Sequence, residues 1–101
     1  MIDKNSSELN SFVDSLQTMF DKNVDKAGIL KKTVIVKFNR KFIRISTKDT
    51  QEMVYCFVDK ETGQVFKPAS WNAPAKHARG NIFNTDNGMS CCGPYGVARL
   101  R

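Results

Sequence analysis

Long apolar runs are missing from this chain: no stretch approaches the roughly 20 consecutive apolar residues that span a bilayer. A secretory leader is not expected either, since MIDKNSSELNSF carries no basic segment followed by an apolar one. The expected location is therefore the cytoplasm, where the chain is made. Histidine is reduced to one residue, His77, and no Ser-His-Asp or Cys-His pattern stands in a recognisable local context. A general base needs a nucleophile or substrate within hydrogen-bond reach and a group to orient it, so no catalytic residue is expected. Neither GxxxxGKS/T nor GxGxxG is present, which removes the usual phosphate loops. The three cysteines, Cys56, Cys91 and Cys92, cannot all pair within the chain, and a bridge between neighbours strains the peptide. Reduced thiols are the expectation. Structural zinc asks for four ligands, and adjacent Cys91 and Cys92 do not readily face one ion, so no metal and no cofactor are expected.

What is present fits one ordinary domain over residues 1–101, without an internal repeat or a dividing linker. Hydrophobic residues make up 41% and charged residues 26%, which places the chain among globular rather than disordered proteins. The net charge of +6 is unevenly distributed. Residues 22–48 hold nine Lys/Arg against one acid, and residues 67–101 hold five against one. Residues 1–21 and 49–66 are each net acidic by three. Such segregation makes a face for phosphates or for an acidic protein surface, or a solvated face that keeps a small protein dispersed.

The first element is a helix. Leu9, Phe12, Val13, Leu16, Met19 and Phe20 recur at three- and four-residue spacing, one apolar stripe expected to pack on a sheet. Asn5 or Ser6 serves as cap, Glu8 suits the positive end of the helix dipole, and Asn23 to Gly28 offers an exit. Thr33 to Phe38 reads as a strand, joined through Asn39-Arg40-Lys41 to a second, Phe42 to Thr47; one long strand bulged near Asn39 is the alternative. In the second strand Ile43 and Ile45 share one face, with Phe42, Arg44 and Ser46 on the other. Met53 to Val58 and Gln64 to Lys67 form a hairpin around Asp59-Lys60-Glu61-Thr62-Gly63, and Pro68 is expected to end the ladder. Beyond it, Asn72-Ala73-Pro74 resembles a helix start, with one turn over Ala75 to Arg79 closed by Gly80. Ile82-Phe83 reads as a short strand or an anchor, Asn84 to Gly96 as loop, and Val97 to Arg101 as a last short strand. The class is α+β: an N-terminal amphipathic helix packed on a small, mainly antiparallel sheet of four to five strands.

The segment from Lys67 to Asn81 holds the only tryptophan, two of the three prolines and a cluster of cations. Trp71 offers a base-stacking plane while Lys67, Lys76 and Arg79, with His77 among them, offer contacts to phosphates, a combination suited to single-stranded nucleic acid. The competing role for Trp71 is to cap a small core beneath a long loop. Both hold if one face of the ring is buried. Arg40 and Lys41, with Arg44 on the following strand beside Phe42, make a second basic patch of the kind seen on RNA-binding sheet surfaces. These eight residues are the candidate site.

The stretch from Cys56 to Phe83, with its FVD turn, KPASW segment and APAKHARGN segment, is similar to small proteins encoded by tailed bacteriophages, as is the later Tyr95-Gly96. The resemblance covers nearly the whole C-terminal half. It implies a protein acting in the bacterial host cytosol, and it carries no established activity from which a functional residue transfers. Its Ser90-Cys91-Cys92-Gly93-Pro94 segment is not part of the pattern. The expectation that follows is a non-enzymatic accessory protein binding DNA or RNA through a basic face. The alternative is an anti-defence (anti-CRISPR-like) or host-takeover inhibitor that docks on a host protein or ribonucleoprotein complex.

Overall fold

The computed structural model describes residues 2–27, 33–49, 51–85, 87–89, 92–93 and 96–97. Helix α1 runs Ser7–Ala27 and is followed by strands β1 (Thr33–Phe38), β2 (Phe42–Lys48), β3 (Glu52–Asp59), β4 (Gln64–Ser70) and β5 (Ala73–Asn81). These five strands pair in chain order as an antiparallel meander, and two further pairs of residues, β6 (Cys92–Gly93) and β7 (Gly96–Val97), form a separate short ribbon. The fold is α+β. Among the described residues no helix is long and apolar enough to cross a membrane.

Ser6, rather than Asn5, caps the helix: the Leu9 amide donates to its Oγ at 3.3 Å, satisfying one of the amides that a helix start leaves open. The helix passes through Asn23 and ends at Ala27; the expected exit at Gly28 lies outside the described residues. Within the stripe, Leu9, Phe12, Leu16 and Phe20 are buried, and they belong to one cluster with Ile43, Ile45, Tyr55, Cys56, Val58, Val65 and Ile82. Phe20 meets Tyr55 edge to face, with ring centroids 5.4 Å apart.

Asn39 to Lys41 connects two separate antiparallel strands, so the single long strand is excluded. A bulge does occur, but further along. Ile45 lies opposite Cys56 and Ser46 opposite Val54, which leaves Tyr55 as the extra residue on β3. A bulge brings two consecutive side chains toward one face, and here it puts neighbours Tyr55 and Cys56 into the same buried cluster. At the next turn Asp59 Oδ1 accepts from the amides of Glu61 and Thr62, and the Gly63 amide closes on the Asp59 carbonyl at 2.9 Å with φ of +76°.

The region after Pro68 departs most from expectation. Pro68 does not end the ladder: β4 continues to Ser70, and Pro68 stands opposite Pro74. The helical turn over Ala75 to Arg79 is not formed either, because residues 73–81 are a strand that includes Gly80. The reason is shared. Proline's fixed φ suits an extended strand as well as a helix start, and pairing with β4 decides between them. The ladder between β4 and β5 shifts register three times, the irregular setting in which a strand holds residues without an amide hydrogen. Ile82 is the anchor, 1% exposed, with its amide donating to the Gly63 carbonyl. Of the expected last strand only Val97 is described; it pairs with Cys92, and Gly96 with Gly93, so three of the four paired residues fall in the segment read as loop, and residues 98–101 lie outside the described residues.

Strand β1 is an edge, and edges expose unpaired amides. The Val34 amide is taken by Gln17 Oε1 of the helix at 2.9 Å. Gln17→Ala is expected to cost about 1 kcal/mol, a fall in Tm of about 4–8 °C, while Gln17→Glu, which keeps an acceptor, loses less than half of that. Equal losses from both substitutions in a thermal melt would dismiss the bond as the cause.

Candidate nucleic-acid interface

Alternation along β2 separates two faces. Ile43 and Ile45 belong to the large buried cluster, while Phe42 and Arg44 stand on the other side of the sheet. There Arg44 lies opposite Phe57 on β3, Phe57 opposite Phe66 on β4, and Phe66 opposite Ala78 on β5. Phe42 meets Phe57 and Phe66 edge to face, at centroid separations of 6.3 and 5.8 Å. Phe57 is fully buried, yet it stands apart from the cluster of the helix-side residues. The sheet thus has a second, aromatic core.

Over this aromatic face comes the tip of the β4–β5 hairpin. Its two connecting residues are Trp71 and Asn72, and both contact Arg44 on β2, two strands from β4 in the sheet order. The Arg44 guanidinium carbon lies 4.2 Å from the centroid of the Trp71 ring, and Nη1 donates to Asn72 Oδ1 at 3.0 Å. The irregular ladder explains how the hairpin reaches so far: bulges bend and twist a strand pair, which here curls back over the face. Arg44 is only 7% exposed, whereas Trp71 is 40% exposed. One side of the indole is stacked on the cation and the rest of the side chain is open to solvent. Arg44 Nε is buried and has no hydrogen-bond partner.

The remaining candidates are distributed around this centre. Arg40 and Lys41 are exposed on the β1–β2 turn, which the Asn39 amide closes on the Phe42 carbonyl at 3.0 Å. Lys41 Nζ sits 5.4 Å from the Phe42 ring centroid, which ties that turn to the aromatic face. Lys76 and His77 are exposed on β5, Lys67 is half-buried on β4, and Arg79 is the half-buried extra residue where β5 bulges past Val65 and Phe66. The structure therefore joins Arg44 to Trp71 and Lys41 to the same aromatic group. Arg40 stays on the β1–β2 turn beside Lys41, and Lys67, Lys76, His77 and Arg79 line the hairpin that carries Trp71.

Asn72 was missed as a site residue because its position before Ala73-Pro74 reads as a helix cap. Phe57 and Phe66 were missed as well; the signal for them is the hairpin register, which sets both opposite residues of the Phe42/Arg44 face. Among the described residues no group of three His, Cys, Asp or Glu is placed to hold a metal ion. Cys56 is buried and Cys92 half-buried with its Sγ 3.6 Å from the Gly88 carbonyl; Cys91 lies outside the described residues.

These features define a small α+β protein built on a five-stranded antiparallel meander, with an arginine–tryptophan stack on one sheet face. The chain belongs to DUF7717, a family of unknown function, whose model matches residues 3–98. No curated protein matches the chain. No solved structure matches it either.

Proposed function

We propose that this is a phage-encoded, non-enzymatic accessory protein of the bacterial cytosol that binds single-stranded nucleic acid. In this reading α1 packs over the Ile43/Ile45 face and leaves the aromatic face and its hairpin to the ligand. The observation that carries the proposal is Trp71: a half-exposed indole, held on one side by a buried guanidinium and borne on a hairpin with Lys67, Lys76, His77 and Arg79. Exposed aromatic rings beside cations stack bases of any sequence, and the cations take the phosphates. Arg40 and Lys41 extend the positive surface past Phe42.

Fluorescence polarisation with labelled single- and double-stranded DNA and RNA, across a salt series, tests this. Affinity for single strands should fall with salt by a log–log slope of about −0.7 for each phosphate neutralised. Trp71→Ala should weaken single-strand binding by about 1–3 kcal/mol, the value of one stacked base, with little change in slope. Arg79→Ala should instead flatten the slope by about 0.7. Absence of binding at low salt would end the nucleic-acid reading and turn attention to capture of a host protein complex.

A further inference from the structure

We propose that Arg44 is the anchor of a phosphate site that opens when the Trp71–Asn72 tip lifts from it. The inference deepens the nucleic-acid reading, on which it relies for the choice of ligand but not for the existence of the site.

The starting point is an uncompensated charge. Arg44 is 7% exposed, and arginine keeps its charge when buried. Buried charges are ordinarily neutralised by an opposite charge or fully hydrogen-bonded. Among the described residues Arg44 pairs with no carboxylate: its contacts are the neutral Asn72 amide oxygen and the Trp71 ring. Asn72 takes Nη1, and Nε is buried without an acceptor. The side of the guanidinium fork that includes Nε is thus unused, and that edge is the one that grips a phosphate with two parallel N–H bonds. The Phe42, Phe57 and Phe66 rings supply an apolar floor, which strengthens any charge–charge contact made there.

The second observation concerns access. Both partners of Arg44 lie on the two-residue tip between β4 and β5, and both are exposed on their outer side. The strand pairs leading to the tip, Pro68 with Pro74 and Ser70 with Ala73, are separated by register shifts. A hydrogen bond to a neutral amide and a cation–π contact are what hold the tip to Arg44. A phosphate oxygen competes with both, because charge-assisted bonds are stronger than neutral ones. A nucleotide suits the place on two counts: its phosphate meets the fork, and its base has the released indole to stack on.

Trp71 is the only tryptophan, so its emission reports directly on the tip. Titration of the intact protein with uridine monophosphate, and separately with a short oligouridylate, should shift that emission to the red as the ring leaves the guanidinium. Arg44→Met should abolish the shift and weaken oligouridylate by about tenfold or more, with the far-UV circular dichroism retained. Arg44→Lys, which keeps the charge without the fork, should lose the mononucleotide response as well. Asn72→Ala should do the opposite and tighten both ligands by up to about fivefold, since the phosphate no longer competes with the amide for the cation. The proposal is overturned if oligouridylate binds while Trp71 emission stays fixed, or if Arg44→Lys binds as the parent does; the nucleic-acid reading survives that result. A mononucleotide response without oligonucleotide binding at low salt supports the site and removes the nucleic-acid reading. Weaker binding by Asn72→Ala would overturn the lifting tip.

Discussion

Phe57→Ala is expected to lower the unfolding free energy by about 3–5 kcal/mol, the range for emptying a buried aromatic site. A chain of this size has a stability of about 5–15 kcal/mol, so the substitution removes from about a fifth to nearly all of it. The size of the effect follows from where the ring sits. Phe57 is fully buried although it faces away from the residues clustered with α1, and its neighbours are Phe42, Phe66 and, across the β2–β3 ladder, Arg44. Deleting it leaves a void beside Phe42 and Phe66 on the face that carries Arg44, and loosening Arg44 there loosens the Trp71 tip stacked on it. Urea unfolding measured by circular dichroism gives the free energy, and native-state Trp71 emission reports the loosened tip in the same samples. Phe57→Leu, which refills most of the volume, should recover more than half of the loss. A cost below about 1.5 kcal/mol for the alanine variant would mean that the aromatic face is not a second core.

That face shows how far the chain could be read in advance. The helix was legible because four buried positions, Leu9, Phe12, Leu16 and Phe20, follow the helical period without a break. The hairpin through Asp59 and Gly63 was legible because its turn chemistry is local: a carboxylate accepting two amides and a residue with positive φ. The strand from Ala73 to Asn81 was not. Its proline, glycine and small residues carry no period of two, and what makes it a strand is pairing with β4, a relation between segments. The same holds for the site. Trp71 and Arg44 were each identifiable by residue type, but their contact depends on a hairpin curled by bulges, and no local pattern marks those bulges. Arg44 alternates with Ile43 and Ile45 and therefore reads as an exposed cation. It is buried because the tip lies on it.

Gly63→Ala is expected to destabilise by about 2–4 kcal/mol, from two separable causes. The first is backbone: φ of +76° is a conformation in which an L side chain is strained by roughly 1–2 kcal/mol. The second is steric. A Cβ at this position would come within 2.5 Å of Phe83 Cδ2 and Cε2 and 2.9 Å of Asn81 Oδ1. The half-exposed Phe83 ring has to swing aside, and Asn81 does not yield freely. Asn81 Oδ1 accepts from the Phe83 amide at 2.8 Å while its Nδ2 donates to the Thr62 carbonyl at 2.9 Å, and the Gly63 carbonyl holds the Ile82 amide. The added methyl therefore presses on the junction that ends β5 and anchors Ile82 in the core. A double-mutant cycle with Phe83→Ala separates the causes. Phe83 is half-exposed, so its own truncation should cost about 1 kcal/mol or less. In that background Gly63→Ala should lose the Phe83 contact while keeping the Asn81 contact and the backbone component of about 1–2 kcal/mol, giving a coupling of about 1 kcal/mol between the two positions. Strict additivity would show that the Phe83 ring does not lie against Gly63. A cost near zero in both backgrounds would show that the turn does not hold residue 63 in the left-handed region, and the hairpin's register would then have to be set elsewhere.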